Sequence, residues 1–237
     1  MQITKQPHSY LLTPSALDYD VSEEMFDPEY WQKNNAIVGS KEGRATAWFV
    51  RFNQSVAVLK HYYRGGLIGK LLSDQYIFTK LENTRVYQEF ALLEQLQRQG
   101  LPVPTPLGAR ISLHFGIYRA DILTEAVSDA TSVCEILQAR ALSTNELESI
   151  GHTIAQFHQA GAYHDDLNIN NILFDADGKV FLIDFDKGKI MQPNLSWQHA
   201  NMERLQRSFK KEAGKWPTFY FDENQWQVLM QAYRNAR

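Results

Sequence analysis

The stretch YHDDLNINNILFD, residues 163–175, places three Asp, three Asn and one His in thirteen positions and then runs into an apolar segment. Asp and Asn commonly cap helices and fill solvent-facing turns, so composition alone gives this loop no function. A calcium loop is excluded, because no alternating D-x-D-x-D-G array closed by Glu is present. A second acidic signal changes the reading. In FLIDFDKG, residues 181–188, Asp184 stands at the end of an apolar strand, and DADG between ILF and KVFLIDF is a hairpin signal. One hairpin therefore joins two acidic loops and turns both toward the same space.

The chain has 237 residues, 44% of them hydrophobic, and a formal net charge of −3. That suffices for one large domain or two apposed lobes, and the charge argues against a general nucleic-acid binder. Cys134 is the single cysteine, so no internal disulfide forms. Within TSVCEIL it reads as a small buried residue, and the chain is expected to be intracellular. The N-terminus MQITKQPHSYLLTPSALDYD lacks a signal-peptide core, and no window approaches the ~18 apolar residues of a spanning helix. The chain is expected to be soluble, or at most peripheral to a membrane.

No repeat, low-complexity tract or Gly/Ser linker divides it. Residues 18–29, DYDVSEEMFDPE, read as an irregular, solvated lead-in. From Ala36, the runs AIVG, TAWFVRF and SVAVLKHYY predict an antiparallel meander. NTRVYQEFALLEQLQRQG predicts a helix with Val86, Phe90, Leu93 and Leu96 on one face and Gly100 as its cap. LPVPTPLGARI and GIYRADILTE read as an edge segment and two more strands. Ser143 with Glu146 makes a capping box that opens a helix through NELESIGHTIAQFHQAG, with Leu147, Ile150, Ile154 and Phe157 at helical spacing. The Asp/Asn loop follows this helix, and the remainder is mainly helical. The fold class is α+β: a β-rich lobe over about 1–125 and a mainly helical lobe over about 126–237, in a single domain with a ligand cleft between them.

The order His164-x-Asp166-Leu167-x-x-x-Asn171, a hairpin, then Asp184-Phe185 resembles the catalytic loop and metal motif of protein-kinase-like phosphotransferases. The resemblance implies a bilobal kinase-like fold that uses ATP and Mg²⁺. Phosphoryl transfer asks for positioning and charge neutralisation more than covalent help. Asp166 would be the catalytic residue, accepting the proton of the attacking hydroxyl, while Asn171 and Asp184 would ligate Mg²⁺ through hard oxygens. His164 would brace the loop. VAVLK matches the family's V-A-I-K strand and assigns Lys60 to the α- and β-phosphates. Glu89 would be its ion-pair partner in preference to Glu82 and Glu94, because it adjoins Phe90 on the inward side. VGSKEGRATAWFV would cover the phosphates with backbone amides around Gly39 and Gly43. Main-chain groups of Glu125 and Val127, in ILTEAV, would hold the adenine. Only about 50 residues follow Asp184, with no A-P-E, so the C-lobe is shortened and a non-protein acceptor is implied. Asn168 stands where the family commonly has a loop lysine, which leaves Lys187 as the candidate cation for the γ-phosphate. Asp186 replaces the Gly of D-F-G, which implies a loop fixed in one state.

Beyond these motifs, GRATAWFV, VLKHYYRGGLIGK, YQEFALLEQL, LPVPTP, YRADILTE, HDDLNINNILFD, LIDFDKG and WQHANMERLQRSFKK resemble the bacterial 3-deoxy-D-manno-octulosonic acid (Kdo) kinases of lipopolysaccharide synthesis. The likeness runs through most of the chain. It implies transfer of the ATP γ-phosphate to the 4-hydroxyl of Kdo on a lipid A precursor, Kdo-lipid IVA. The protein would lie peripherally on the anionic cytoplasmic face of the inner membrane, with no nucleic-acid and no protein partner. A kinase for another acceptor, such as a core heptose or an aminoglycoside, would share the catalytic residues. A non-catalytic nucleotide-binding module would lack one of Lys60, Asp166, Asn171 and Asp184, and all four are present. Two cationic stretches stand out, KHYYRGGLIGK and ERLQRSFKKEAGK. In the first, Arg64 is expected to offer a fork to the acceptor's carboxylate or phosphate. The second reads as a solvated helix face packed by Leu205 and Phe209, or as a membrane-holding patch of Arg204, Arg207, Lys210, Lys211 and Lys215.

Overall fold

The computed structural model describes residues 1–15, 19–41, 46–64 and 74–237, and the chain divides into two compact units. The first unit comprises Met1–Glu94 and Pro104–Ala126. Its frame is an antiparallel sheet of β1 (Gln2–Lys5), β2 (Ser9–Thr13), β3 (Ile37–Lys41), β4 (Ala47–Phe52), β5 (Ser55–His61), β6 (Tyr76–Ile77), β7 (Pro106–His114) and β8 (Ile117–Glu125). The order is β1-β2-β7-β8-β5-β4-β3, with β6 on β8. The meander read from the sequence is β3–β4–β5. Along it Val50, Phe52, Ala57 and Leu59 alternate with outward residues and are buried, as period-2 patterning requires of a strand with one covered face.

Two expectations are corrected here. The β7 strand is not an edge: residues 2–13 fold as the β1–β2 hairpin, and β2 pairs along it from Ser9↔Ser112 to Leu12↔Ala109. Nor are residues 19–29 a solvated lead-in. They form a 3-10 turn, Glu23–Phe26, that leads into α1 (Pro28–Lys33), and Phe26 and Trp31 join the sheet's core beside Phe52 and Leu123. Arg110 on β7 holds this segment, donating to the carbonyls of Glu23 and Phe26 at 3.2 Å each and to the Asp27 carboxylate at 2.8 Å. Burying two aromatic side chains, at about 1.5–3 kcal/mol each, favours this packing over a solvated chain.

Helix α2 (Arg85–Arg98) buries Val86, Phe90, Leu93 and Leu96, and Gly100 closes it by donating to the Gln97 carbonyl at 2.8 Å. The second unit comprises Gln95–Val103 and Val127–Arg237. It contains α3 (Val133–Ala139), α4 (Thr144–Gln159), α5 (Leu195–Ala213) and α6 (Glu223–Asn235), with short strands β9 (Thr131–Ser132), β10 (Ala162–Tyr163), β11 (Ile172–Phe174), β12 (Val180–Leu182) and β13 (Lys189–Ile190). Capping boxes open three of these helices: Ser132 with Glu135, Ser143 with Glu146, and Asp222 with Gln225. Leu147, Ile150, Ile154 and Phe157 form the buried face of α4. Cys134 is buried, and burial pushes its thiol up. Among the described residues no helix is long and apolar enough to cross a membrane.

The α4–α6 packing depends on Gly151. A Cβ there would lie 2.5 Å from the Leu229 carbonyl oxygen and 2.9 Å from the Tyr233 nitrogen. Helix propensity alone favours Gly151→Ala by about 1 kcal/mol. Overpacking against helix backbone, which cannot swing aside as a side chain could, costs about 1–3 kcal/mol or more. Gly151→Ala should therefore lower the thermal unfolding midpoint. A raised midpoint would mean that α4 and α6 have room for a methyl group.

Candidate active site

Two short antiparallel ladders in the second unit nest. In the inner one β11 pairs with β12, with Ile172 opposite Leu182; in the outer one β10 pairs with β13, with Tyr163 opposite Lys189. Between the ladders lie two segments, 164–171 and 183–188, which are the two acidic loops. The inner hairpin turns at Asp175, whose Oδ1 accepts from the N–H groups of Asp177 at 3.0 Å and Lys179 at 2.8 Å. The entry to β10 requires glycine: Gly161 has φ +76° and its position abuts the Met191 carbonyl, so a side chain would be both strained and crowded.

His164 joins the loops. It is buried; its Nδ1 accepts from the Asp166 N–H at 3.1 Å and its Nε2 donates to the Ile183 carbonyl at 2.9 Å. One acceptor and one donor define a neutral imidazole, and burial pulls its pKa below the ordinary histidine value. The ring packs on Phe185 at 4.6 Å, and Phe185 stacks on Phe157 of α4 at 5.7 Å. A further tie joins the loops, the Ile183 N–H donating to the Asn171 carbonyl at 3.0 Å.

The structure places the sequence-predicted residues of this unit together. Asp166 presents an exposed carboxylate while its carbonyl accepts from the side chains of Asn168 at 2.8 Å and Asn171 at 3.0 Å. Asn171 is buried; because its amide nitrogen is committed to Asp166, its Oδ1 is the atom left to face a cation. Asp184 is one residue beyond Ile183, with φ 62°, in the left-handed region. Lys187 also has positive φ, 61°, and its Nζ lies 3.9 Å from Asp165. Sequence reasoning missed the role of α5, which docks on the loop through Asn201, Arg204 and Ser208. The Asn201 side chain donates to the His164 carbonyl at 3.1 Å, Arg204 pairs with Asp166 at 2.8 Å, and Ser208 Oγ accepts from the Ile169 N–H at 3.2 Å. Their i, i+3, i+7 spacing was the available signal.

In the first unit, Lys60 on β5 pairs with buried Glu89 of α2 at 3.7 Å. Glu94 is engaged elsewhere, with the N-terminal amine at 3.1 Å. Tyr62, not singled out from the sequence, donates its hydroxyl to Glu89, and the Lys60 ammonium lies 5.1 Å from its ring centre. Arg64 stacks on Tyr76 at 4.9 Å, with Arg85 5.2 Å from the same ring centre, and the buried Arg64 Nε has no hydrogen-bond partner among the described residues. Gly39 pairs with Phe49 just after an irregularity in the β3–β4 ladder, whereas Gly43 lies outside the described residues. The Glu125 N–H is taken by the Thr105 carbonyl at 2.8 Å, and Val127 opens the second unit's main segment.

A carboxylate and an amide on one loop, tied to a second loop that carries Asp184, match the arrangement expected of a phosphotransferase. Residues 28–233 match the model of the lipopolysaccharide kinase (Kdo/WaaP) family. The 3-deoxy-D-manno-octulosonic acid kinase of Vibrio cholerae is 46% identical over 200 residues, 84% of this chain and 85% of that protein. The kinases of the same name from Haemophilus influenzae and Photobacterium damsela subsp. piscicida are 40% and 39% identical, covering 98% and 99% of this chain and 99% and 97% of those proteins. The chain belongs to the Kdo/WaaP kinase family; it is a phosphotransferase, and a kinase family implies the use of ATP.

Two buried histidines make this unit's stability depend on pH. His158 of α4, whose Nδ1 lies 2.8 Å from the Tyr233 hydroxyl, is pulled down to about 4, mainly by burial. His164 is lowered for the same reason. With folded values below the ordinary 6.5, the unfolded chain binds the extra protons, so the contribution is present above pH 6.5 and is lost as pH falls. His61 acts in a different window: burial works against it, but the Asp121 carboxylate prevails and holds it above its ordinary value. Urea unfolding should show stability falling from pH 6.5 toward pH 4, by about 3 kcal/mol from His158 alone. A flat profile over that range would mean that the rings are not buried neutral.

Proposed function

We propose that the protein transfers the γ-phosphate of ATP to the 4-hydroxyl of Kdo on a lipid A precursor such as Kdo-lipid IVA. The chain would be one kinase-like domain with lobes of about 1–125 and 126–237. The observation that carries the reading is the convergence of Asp166, Asn171 and Asp184 on two loops tied by one neutral histidine. The relatives' shared name, Kdo kinase, supports the acceptor class.

In this reading Asp166 accepts the hydroxyl proton as the acceptor oxygen bonds to Pγ and the bond from Pγ to the β,γ-bridging oxygen breaks, releasing ADP. Its exposed carboxylate leaves room for an incoming sugar. Lys60, held by Glu89, contacts the α- and β-phosphates, amides around Gly39 and Gly43 cover them, and the Glu125 carbonyl with the Val127 main chain receives the adenine. Asn171 Oδ1 and the Asp184 carboxylate fit Mg²⁺, a hard cation that takes one or two protein oxygens and otherwise keeps waters and phosphates. When bound it would supply neutralising charge to the phosphates. Arg64, with a buried donor lacking an acceptor among the described residues, is suited to an anionic group of the acceptor, and Lys187 to the transferred phosphoryl. Exposed Arg207, Lys210 and Lys211 of α5 would hold the protein peripherally to the anionic cytoplasmic face of the inner membrane, at ~1 kcal/mol per cation.

The test is phosphate transfer from ATP to Kdo-lipid IVA in anionic vesicles, beside heptose-bearing and aminoglycoside acceptors. The Kdo acceptor should be preferred, and added salt should slow its turnover. Asp166→Asn should lower turnover at least ~10²-fold with ATP affinity retained, because a general base meets the acceptor and not the nucleotide. Full activity in that variant would remove Asp166 from the mechanism, and preference for another acceptor would overturn the substrate assignment.

A further inference from the structure

Helix α5 carries a polar stripe that reads the loop at three points. Asn201, Arg204 and Ser208 reach His164, Asp166 and Ile169 respectively, and Leu205 between them is fully buried. Two of these contacts hold backbone. The third is different: Arg204 Nη1 lies 2.8 Å from Asp166 Oδ1, and the two side chains are 45% and 60% exposed. So open a pair adds little to stability, and Arg204 is not needed to fasten the helix, which the backbone contacts and Leu205 already secure. What the contact can do is orient a carboxylate that could otherwise rotate in water.

No neighbour duplicates this. Asn168 spends its amide on the Asp166 carbonyl, and Lys187 sits 3.9 Å from Asp165. Among the described residues Arg204 is the one cation paired with the Asp166 side chain. We infer that Arg204 is the positioning residue of the phosphotransfer base: α5 delivers a guanidinium that aims Asp166 at the acceptor hydroxyl and keeps positive charge beside the loop where the loop itself carries only an amide. The inference rests on the function proposed above. A carboxylate held off line by about 1 Å can lose ~10²-fold in rate, so the effect belongs in kcat and not in either KM.

The experiment measures kcat and both KM values, with ATP and Kdo-lipid IVA, for wild type, Arg204→Gln, Arg204→Lys, Asp166→Asn and the Asp166→Asn/Arg204→Gln double variant. Arg204→Gln should lower kcat ~30- to 100-fold, with both KM values within ~2-fold of wild type. Arg204→Lys, a cation without the fork, should recover part of the loss. In the Asp166→Asn background the Gln substitution should add less than ~2-fold, since residues acting as a unit are not additive. Wild-type kcat in Arg204→Gln, a raised acceptor KM at unchanged kcat, or a loss that multiplies in full with that of Asp166→Asn would each overturn the inference. An inactive wild type would overturn the proposed function and this inference together, whereas an active wild type with an unimpaired Arg204→Gln would overturn this one alone.

Discussion

A buried, neutral imidazole sets the distance between the two acidic loops. His164 has no access to water, so carrying a charge there would be costly, and neutrality leaves it one donor and one acceptor. Both are spent on main chain: the acceptor on Asp166 and the donor on Ile183. The ring thereby becomes a spacer of fixed width between Asp166 and the residue that precedes Asp184. Losing it would remove both ties, from the Asp166 N–H and to the Ile183 carbonyl.

The same division of labour recurs outward from this point. Side chains that meet water, Asp166, Lys187 and Arg204, stand on residues that do not, among them Leu167, Ile169, Asn171 and Phe185. The exposed groups are open to ligands, while the buried ones keep the backbone that carries them in register. The first unit repeats the pattern on a smaller scale. Glu89 is buried, takes the Tyr62 hydroxyl, and presents its other oxygen to half-exposed Lys60. Positive φ at both Asp184 and Lys187 is strain of the kind that persists only where surrounding structure over-determines the backbone.

What the sequence disclosed follows from how locally each feature is encoded. The helices of Val86–Leu96 and Leu147–Phe157 were legible because a 3.6-residue period is written within one segment, and Ser143–Glu146 because a capping box spans four residues. The DADG turn and the Asp/Asn loop were legible for the same reason. The central place of β7 was not, since it depends on a hairpin formed about a hundred residues upstream by strands of four and five residues. The acidic composition of residues 18–29 hid Phe26, whose burial, with that of Trp31 just beyond, depends on Arg110 and the sheet. Arg204 belonged to a basic stretch with Arg207, Lys210, Lys211 and Lys215, all exposed as it is, and only its spacing from Asn201 and Ser208 on the helix separates the one that reaches the loop. Tyr62 was obscured by neighbouring aromatics in HYYR; only the pleat decides which tyrosine faces Glu89.

The dependence of catalysis on the histidine spacer can be measured directly. His164→Phe keeps an aromatic ring of similar size in the same pocket but removes both hydrogen bonds. The informative quantity is the single-turnover rate constant for phosphate transfer from ATP to Kdo-lipid IVA, at saturating concentrations of both, in a variant whose near-ultraviolet circular dichroism shows it folded. The proposed function predicts a rate at least ~10²-fold below wild type, because His164 holds the loop that carries Asp166. A folded His164→Phe protein transferring phosphate at the wild-type rate would contradict it.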